Sequence, residues 1–498
     1  MSESNTQPNF ARVAIRGTAW QYVTFFGGKI MVFISTIILA RILSKDDFGL
    51  VGYAVTTTNF LDVVSDLGIG AALVYYPFDK RRSSTAFWLN LLVRFTLFGF
   101  TWLVVAPAAG DYFQDVRVVA VTRVLALTFP VDAFGDIHQW TLLKNLSFGR
   151  SVIPDFVSAI FKGLVSIILA VVGFGAWSLI WGQVTGAVAS VIVLWLISPW
   201  RPSLEFDFSM VGGLLKYGVN IVGVALLGTL IQNLDYLLVG RYLGAVLLGV
   251  YTLAYRLPDL SILQFARVLS TVLFPLYSKM REIPGSLTRG FYLTTRYVSL
   301  VTMPLGVGLA LVARPFTLAV FTDKWAEIIP VLQALSIYSM MLSLAFNAGS
   351  AYKAEGRPQV LTYLNLFRLV MLFPALWWAV NGAKTLVAVG WMHALVAFIG
   401  GSVNLFAAAR LLHLSLKDLG EAILPSAVAT AIMAAATFGA LQLTASMSNW
   451  VQLIAGVGIG GLVYIGALWF IKREMVLSLI RNLRSSLLRG LNASGAND

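Results

Sequence analysis

Apolar residues run through this chain in long blocks, and short stretches with charged residues, glycine or proline separate one block from the next. Runs such as 165–172 and 454–468 are apolar at nearly every position, unlike the period-two alternation of a membrane β-strand. A helix needs about 20 apolar residues to cross a bilayer. The pattern therefore predicts an all-α polytopic membrane protein with about fourteen transmembrane helices.

The composition agrees with this class. The 498 residues have a mean hydropathy of +0.80, and 58% are hydrophobic while only 12% are charged. Soluble domains carry about 25% charged residues, so this chain has too few polar residues to cover several soluble cores. The predicted spans cover residues 14–40, 49–73, 85–107, 117–141, 152–173, 176–197, 213–239, 247–274, 288–312, 327–350, 359–380, 384–408, 422–444 and 450–471.

The basic residues predict an orientation. A formal net charge of +13 could indicate a nucleic-acid partner, but cytoplasmic loops of membrane proteins collect Lys and Arg in the same way. Even-numbered connections such as 74–84 and 275–287 are richer in these residues than odd-numbered ones. We therefore expect both termini in the cytoplasm, an even number of spans and no nucleic-acid partner.

Several chemical functions have no support in the residues. The chain has no cysteine, which excludes disulfides, Cys-ligated zinc and thiol catalysis. Its three histidines lack metal-ligand spacing, and no phosphate-binding G-x-x-x-x-G-K-[ST] loop occurs. Asp47-Phe48-Gly49 matches the magnesium-binding triplet of protein kinases, but no other kinase element accompanies it. We predict neither an enzyme, nor a metal site, nor a cofactor.

An internal repeat lies at an offset of 200 residues. Arg41 matches Arg241, and Gly49 matches Gly249 without a gap in the register. Six predicted helices separate the copies, and an even number preserves direction, so the sequence predicts two parallel lobes. We expect the two glycines to permit close turns into the second and eighth helices. The predicted domains are an N-lobe over 1–200, a C-lobe over 201–412, two further helices over 413–472 and a basic cytoplasmic tail over 473–498.

Ionisable residues at membrane depth are costly, and most face the protein interior or a water-filled cavity. Between two lobes, such residues could bind an anionic head group while the lobes rock in alternating access. The alternatives are ion pairs and snorkelling side chains, which we favour for Arg94 and Lys162 because both are expected near helix ends. Candidates for a cationic substrate cavity are Lys29, Arg256, Arg267, Arg296 and Arg368. Candidates for gating or ion coupling are Asn59, Asp62, Asp66, Asp235 and Asp259.

Four segments carry a resemblance to a known family: ARILSKDDFG at 40–49, DLGIGAAL at 66–73, NLDYLLVGR at 233–241 and LGVY at 248–251. With these segments and the repeat, the chain resembles the Wzx-type polysaccharide exporters of the multidrug/oligosaccharidyl-lipid/polysaccharide superfamily.

The resemblance implies a MATE-like fold of two lobes around a central, often cationic cavity. It also implies that undecaprenyl-diphosphate-linked oligosaccharide is flipped across the bacterial inner membrane, for exopolysaccharide or lipopolysaccharide synthesis. The implied partners are this lipid-linked oligosaccharide and membrane lipids, with H⁺ or Na⁺ as candidate coupling ions and a polysaccharide polymerase and chain-length regulator as candidate protein partners.

Other functions stay open at this point. A MATE-type drug or cation antiporter would need a smaller, more acidic or aromatic cavity, and a lipid II flippase would work by a similar mechanism. A membrane polymerase or ligase would need a sizeable periplasmic loop, and a scaffold of an assembly complex is a further alternative.

Overall fold

The computed structural model describes residues 27–65, 67–75, 79–145 and 147–494. Within these ranges the regular structure is helical, without a β-strand. Contacts divide the chain into two compact units, Met1–Thr252 and Leu253–Asp498. The predicted lobes with boundaries at residues 200 and 412 stay a prediction.

In the described part of the first unit, eleven helices precede a twelfth that continues into the second unit. That twelfth helix, α12, is Phe208–Pro258, and Gly244 interrupts it with a φ of 84°. The others are α1 (27–42), α2 (Lys45–Ser65), α3 (Ile69–Tyr75), α4 (Lys80–Phe100), α5 (Ala106–Phe113), α6 (Arg117–Leu125), α7 (Thr128–Ala133), α8 (Asp136–Lys144), α9 (Phe148–Ser151), α10 (Ile153–Val171) and α11 (Ala176–Ile197).

The second unit holds the remaining helices. Its last helix is kinked at Lys472, one residue after the predicted end of the final span, and its backbone stays helical to Ser494. Small polar residues join the helices: Ser299 and Ser426 pair their hydroxyls at 3.0 Å, as is common between membrane helices. The helices are α13 (Gln264–Met280), α14 (Ser286–Phe316), α15 (Ile328–Leu344), α16 (Ala348–Ala354), α17 (Pro358–Trp378), α18 (Leu386–Leu411), α19 (Leu416–Leu443) and α20 (Asn449–Ser494).

The apolar blocks and the helices agree closely. In the described residues, ten helical stretches are long and apolar enough to cross a membrane, or eleven when the bent pair Arg117–Ala133 and Asp136–Lys144 counts as one span. One of them, Ala225–Met280, has 56 residues and covers most of two predicted spans. The predicted all-α polytopic class is confirmed, and the count of fourteen stays a prediction.

π-helical turns repeat at matching places. Thr101–Val105 follows α4, and Thr317–Phe321 follows α14. These two helices are the third predicted span of each repeat. A further π-turn, Asp259–Leu263, comes directly after Pro258, which lacks the backbone N–H of a regular helix. The matching π-turns support the repeat independently of residue identity.

The start of α2 explains the kinase-like triplet. The Ser44 hydroxyl donates to Asp47 Oδ2 at 2.6 Å and accepts a hydrogen bond from the Asp47 backbone N–H at 3.1 Å. Asp47 also accepts from the Ser44 N–H at 2.8 Å. This reciprocal pair is a capping box, which satisfies N–H groups that the first helical turn leaves without partners. Asp47 therefore serves helix capping, and its match to a metal-binding triplet is coincidental.

Gly49 and Gly249 make a reciprocal contact inside the first unit. A Cβ atom on Gly49 would collide with the backbone carbonyl of Ala245, and one on Gly249 would collide with that of Lys45. Lys45 and Ala245 are themselves 200 residues apart, so equivalent positions meet across a local two-fold axis. Our expectation that these glycines permit turns is wrong: both lie within helices, and Gly244 makes the turn. We call this contact the glycine seam.

Beside the glycine seam, Arg117 joins two carboxylates. It donates to Asp46 through Nη1 at 2.5 Å and to Asp115 through Nη2 at 2.7 Å. The hydrogen bonds from Arg117 hold the pKa of Asp115, which lies between two helices, below its ordinary value. The Arg117 side chain is 51% exposed, so this network is a modest, salt-sensitive contribution.

We therefore expect Asp115→Asn to lower the thermal midpoint of the purified protein by a small amount at pH 7. Because the folded-state pKa is lowered, the stabilisation is present above the unfolded-state pKa of about 3.9 and is lost as pH falls through the folded-state value. The difference between variant and wild type should shrink at pH 3 and in 1 M salt. Asp111→Asn, at an exposed residue of α5, is the control; an equal effect of both variants at every pH would contradict the prediction.

Candidate functional site: a carboxylate-lined cavity and a cationic stripe

The first unit contains a polar cavity of about 340 Å³ among α2, α6, α7, α10 and α11. Three carboxylates and one ammonium group line it, from three different helices. Burying such groups in a membrane protein is costly, which makes the cavity a candidate functional site. Its ionisable and amide-bearing lining residues are Asn59, Asp62, Asp132, Asp155, Lys162 and Gln183.

Helical periodicity accounts for this convergence. Asn59 and Asp62 are three residues apart on α2, and Asp155 and Lys162 are seven apart on α10, so each pair shares one helix face. Asp132 comes from α7, just ahead of the 46° bend that separates α7 from α8. Asn59 also donates to the side chain of Asn233 on α12 at 3.3 Å, which ties the cavity wall to a helix of the second repeat.

Arg94 lies behind this cavity on α4. Its Nη1 is 3.4 Å from Asp62 Oδ1, and its Nε is 2.7 Å from Asp136 Oδ2. The interpretation of Arg94 as an ion-paired residue is confirmed. Its expected place near a helix end is wrong, because the helical stretch continues to Phe113 and puts Arg94 in the middle.

In the second unit, charges follow one stripe across the π-turn. Arg256 lies in the last turn of α12, Asp259 opens the π-turn, and Arg267 on α13 forms an ion pair with Asp259. The side chains of Arg267 and Asp259 are 40% and 30% exposed, so solvent screens part of their attraction. This stripe leaves two arginines and one aspartate partly accessible at the same helix break.

Arg368 belongs to a separate polar group in the second unit. It donates from Nη2 to the Tyr338 hydroxyl at 3.1 Å, and the Tyr338 ring lies edge-on to buried His393 at 4.9 Å between centroids. This hydrogen bond uses one of the five N–H donors of the guanidinium, so several others can reach further acceptors.

The cavity lining includes none of the other predicted residues that the structure describes, although the charge of Lys29 acts on Asp155 in that lining. Lys29 is half-buried on α1, and Arg296 is half-buried on α14. Asp235 is 2% exposed and accepts a hydrogen bond from the Tyr251 hydroxyl at 2.5 Å, so it is packed among helices of the first unit. Asp66 lies outside the described residues. Of the predicted site residues, the structure brings only Asn59 and Asp62 into the acidic cavity.

Sequence reasoning missed Asp155 as a site residue. An acidic residue beside a proline in the first turn of a helix is an ordinary start signal, since it complements the helix dipole. Its spacing of seven from Lys162 is the signal that could have placed both on one face. Gln183 gave no signal, because a single glutamine in an apolar helix has no spacing partner.

Comparisons with known proteins agree with the fold and with the resemblance inferred from the sequence. Residues 38–330 match the model of a family described as polysaccharide biosynthesis protein. The chain is 28% identical to the teichuronic acid biosynthesis protein TuaB of Bacillus subtilis, over 92% of this chain and 95% of the relative. It is 24% identical to the succinoglycan biosynthesis transport protein ExoT of Rhizobium meliloti, over 98% and 99%.

Among solved structures, the chain is similar to the lipid II flippase MurJ in an inward closed conformation. The TM-score is 0.75 at 15% sequence identity, and the match covers 92% of this chain and 99% of that one. At this identity the likeness shows a common fold. The predicted all-α membrane fold is therefore confirmed over nearly the whole chain.

Proposed function

Because this chain belongs to the polysaccharide biosynthesis protein family, we propose that it is a flippase for lipid-linked oligosaccharide. It moves repeat units carried on undecaprenyl diphosphate from the cytoplasmic to the periplasmic leaflet of the bacterial inner membrane, and both of its termini are cytoplasmic. The observation that carries this proposal is the end-to-end match to a succinoglycan transport protein. The fold shared with a lipid II flippase supports it.

The connections between helices support transport over catalysis. Among the described residues, the longest stretch between two helices is 198–207, which is ten residues long. A polymerase or ligase would need a larger extramembrane segment to carry its catalytic groups, whereas a flippase needs only helices and a path between them.

The cationic residues have a role in this proposal. A diphosphate carries several negative charges, and arginine binds phosphate oxygens with two parallel N–H donors. We propose that the diphosphate head group is bound by Lys29, Arg256, Arg267, Arg296 and Arg368. The partial exposure of Arg267 and the free donors of Arg368 on Tyr338 support this assignment.

The acidic cavity has a different role. Carboxylates that line a cavity at membrane depth take up protons or attract cations by their charge, although no group of three acidic or histidine residues in the described part of the chain is arranged to hold a metal ion. We propose that Asn59 and Asp62, together with Asp132 and Asp155, couple translocation to H⁺ or Na⁺. Asp66, Asp235 and Asp259 stay candidates for gating.

The same cavity is the observation that favours a second candidate, a MATE-type drug or cation antiporter. An acidic pocket of about 340 Å³ could hold a small organic cation. The family match favours the flippase, because the matched relatives act in polysaccharide biosynthesis.

A deletion strain separates the two candidates. We expect loss of this chain to abolish surface polysaccharide and to make lipid-linked oligosaccharide accumulate in the inner leaflet, with restoration by the wild-type chain. Leaflet location is read by accessibility of the sugar to a periplasmic glycosidase or lectin. Normal polysaccharide together with increased sensitivity to cationic drugs would refute the flippase and support the antiporter.

A further inference from the structure

Arg94 connects the acidic cavity to two helix breaks of the first unit. Its side chain is 7% exposed, and it contacts Asp62 on α2 and Asp136 on α8. Asp62 lies shortly before the end of α2, after which Leu67 and Gly68 have positive φ values of 42° and 66°. Asp136 opens α8 directly after the 46° bend. One buried cation therefore bridges a broken span and a bent span.

Asp62 and Asp136, two of the carboxylates beside Arg94, differ in distance and in access. Asp136 is 23% exposed, lies at 2.7 Å, and also accepts a hydrogen bond from Asn90 at 3.0 Å. Asp62 is 62% exposed, lies at 3.4 Å, and faces the cavity. Asp136 is thus a fixed partner, while Asp62 is open to any cation that enters.

This asymmetry permits an exchange. A buried charge that loses its only partner strongly destabilises a protein. Arg94 can release Asp62 and still keep Asp136, so an incoming cation meets a much smaller barrier. The charged groups that face the exchange are Asp62 on α2, Asp132 on α7, Asp136 on α8, and Asp155 and Lys162 on α10.

We propose that Arg94 is an exchangeable internal counter-ion, which holds Asp62 when the cavity has no other cation and gives it up, while keeping Asp136, when a proton or Na⁺ occupies the cavity. When a cation occupies the cavity, the end of α2 is released from its contact with α4 and α8. Arg94 is a positioning residue in this scheme, because it acts on helix geometry through Asp62. The inference rests on the proposed ion coupling.

The test measures cation-dependent stability of the purified full chain in detergent. Thermal midpoints are recorded from pH 5 to 8, and in NaCl against choline chloride at equal ionic strength. We expect the wild type to be stabilised by Na⁺ or by protons. Arg94→Gln should lower the half-maximal Na⁺ concentration by about tenfold or more, or raise the pH midpoint of the proton effect by about one unit or more, as removal of a cation beside a carboxylate implies.

Three further variants make the test selective. Arg94→Lys keeps the charge but not the two-point geometry, so its midpoint should lie between those of the wild type and Arg94→Gln. Asp62→Asn should fold, since Arg94 keeps Asp136, and should lose the cation response. Arg123→Gln is the matched control, because the Arg123 guanidinium contacts the Trp102 carbonyl and ring and lies outside the cavity lining. Its cation response should equal that of the wild type.

Two results with the variants overturn the inference. The first is a folded Arg94→Gln protein with the wild-type midpoint. The other is an Asp62→Asn protein that keeps the wild-type cation response. If Arg94→Gln does not fold, the response of Asp62→Asn decides. A wild type without any Na⁺ or pH response would overturn both the ion coupling and this inference. The flippase proposal is judged separately by leaflet accumulation in the deletion strain.

Discussion

Replacing Gly49 with alanine is expected to lower polysaccharide export about tenfold or more and to lower the thermal midpoint of the purified protein. The new Cβ would collide with the carbonyl of Ala245, which is backbone and cannot rotate away. Overpacking costs about 1–3 kcal/mol, and a cost of about 1.4 kcal/mol already reduces the population of a conformational state tenfold. Export is measured by complementation of the deletion strain, with protein level as a check.

The glycine seam offers matched comparisons. Gly249→Ala should have a similar effect, and the double variant should fall short of the summed effects because both changes strain the same contact. Gly99→Ala is the control: nothing lies within 4 Å of a Cβ there, and alanine favours a helix interior by about 0.5–1 kcal/mol. Wild-type export and stability of Gly49→Ala would contradict the assigned role of the seam.

Reversing the charge of Arg267 is expected to abolish export while leaving protein levels near normal. Arg267→Glu removes a donor from the proposed diphosphate site and puts two carboxylates together at the π-turn. A hydrogen bond to a charged group is worth about 1.5–3 kcal/mol, which corresponds to a loss of about tenfold to a hundredfold from the missing donor alone. Arg256→Glu should behave in the same way, because Arg256 lies on the same stripe.

A charge swap separates binding from folding. The double variant Asp259→Arg with Arg267→Glu restores an ion pair but moves the positive charge to the other residue. We expect it to regain thermal stability without regaining export. Full recovery of export would show that the ion pair is structural only. Lys417→Glu controls for a general effect of charge, because this side chain of α19 is 85% exposed.

Much of the fold could be predicted because it depends on local composition. The predicted span 176–197 coincides with α11, and 384–408 differs from α18 by two or three residues at its ends. Apolar runs bounded by glycine or charge determine these limits. The helix breaks carry only partial local signals: Pro258 and Pro315 lie just before two of the π-turns, and Gly135 lies at the bend after Asp132. Proline does not locate a break by itself, because Pro304 lies inside an unbroken helix.

The candidate site could be predicted only in part, for a different reason. Asn59 and Asp62 share a face by spacing alone, and their spacing predicted a functional pair. Their neighbours Asp132 and Asp155 come from other helices, and the rotation of one helix against another depends on packing that no single segment encodes. Arg94 could be recognised as an ion-paired residue because it is a charge at membrane depth. Its contacts with Asp62 and Asp136 could not be named, because they too depend on how one helix is rotated against another.

The glycine seam also has a consequence for the membrane as an electrical barrier. Where one backbone lies directly against another, no row of water molecules can pass between the two helices at that level. Protons and metal ions therefore have no wet path through this contact. A flippase of the proposed kind has to keep part of its route dry at every moment, and at the level of this contact in the first unit backbone atoms alone leave no space for water.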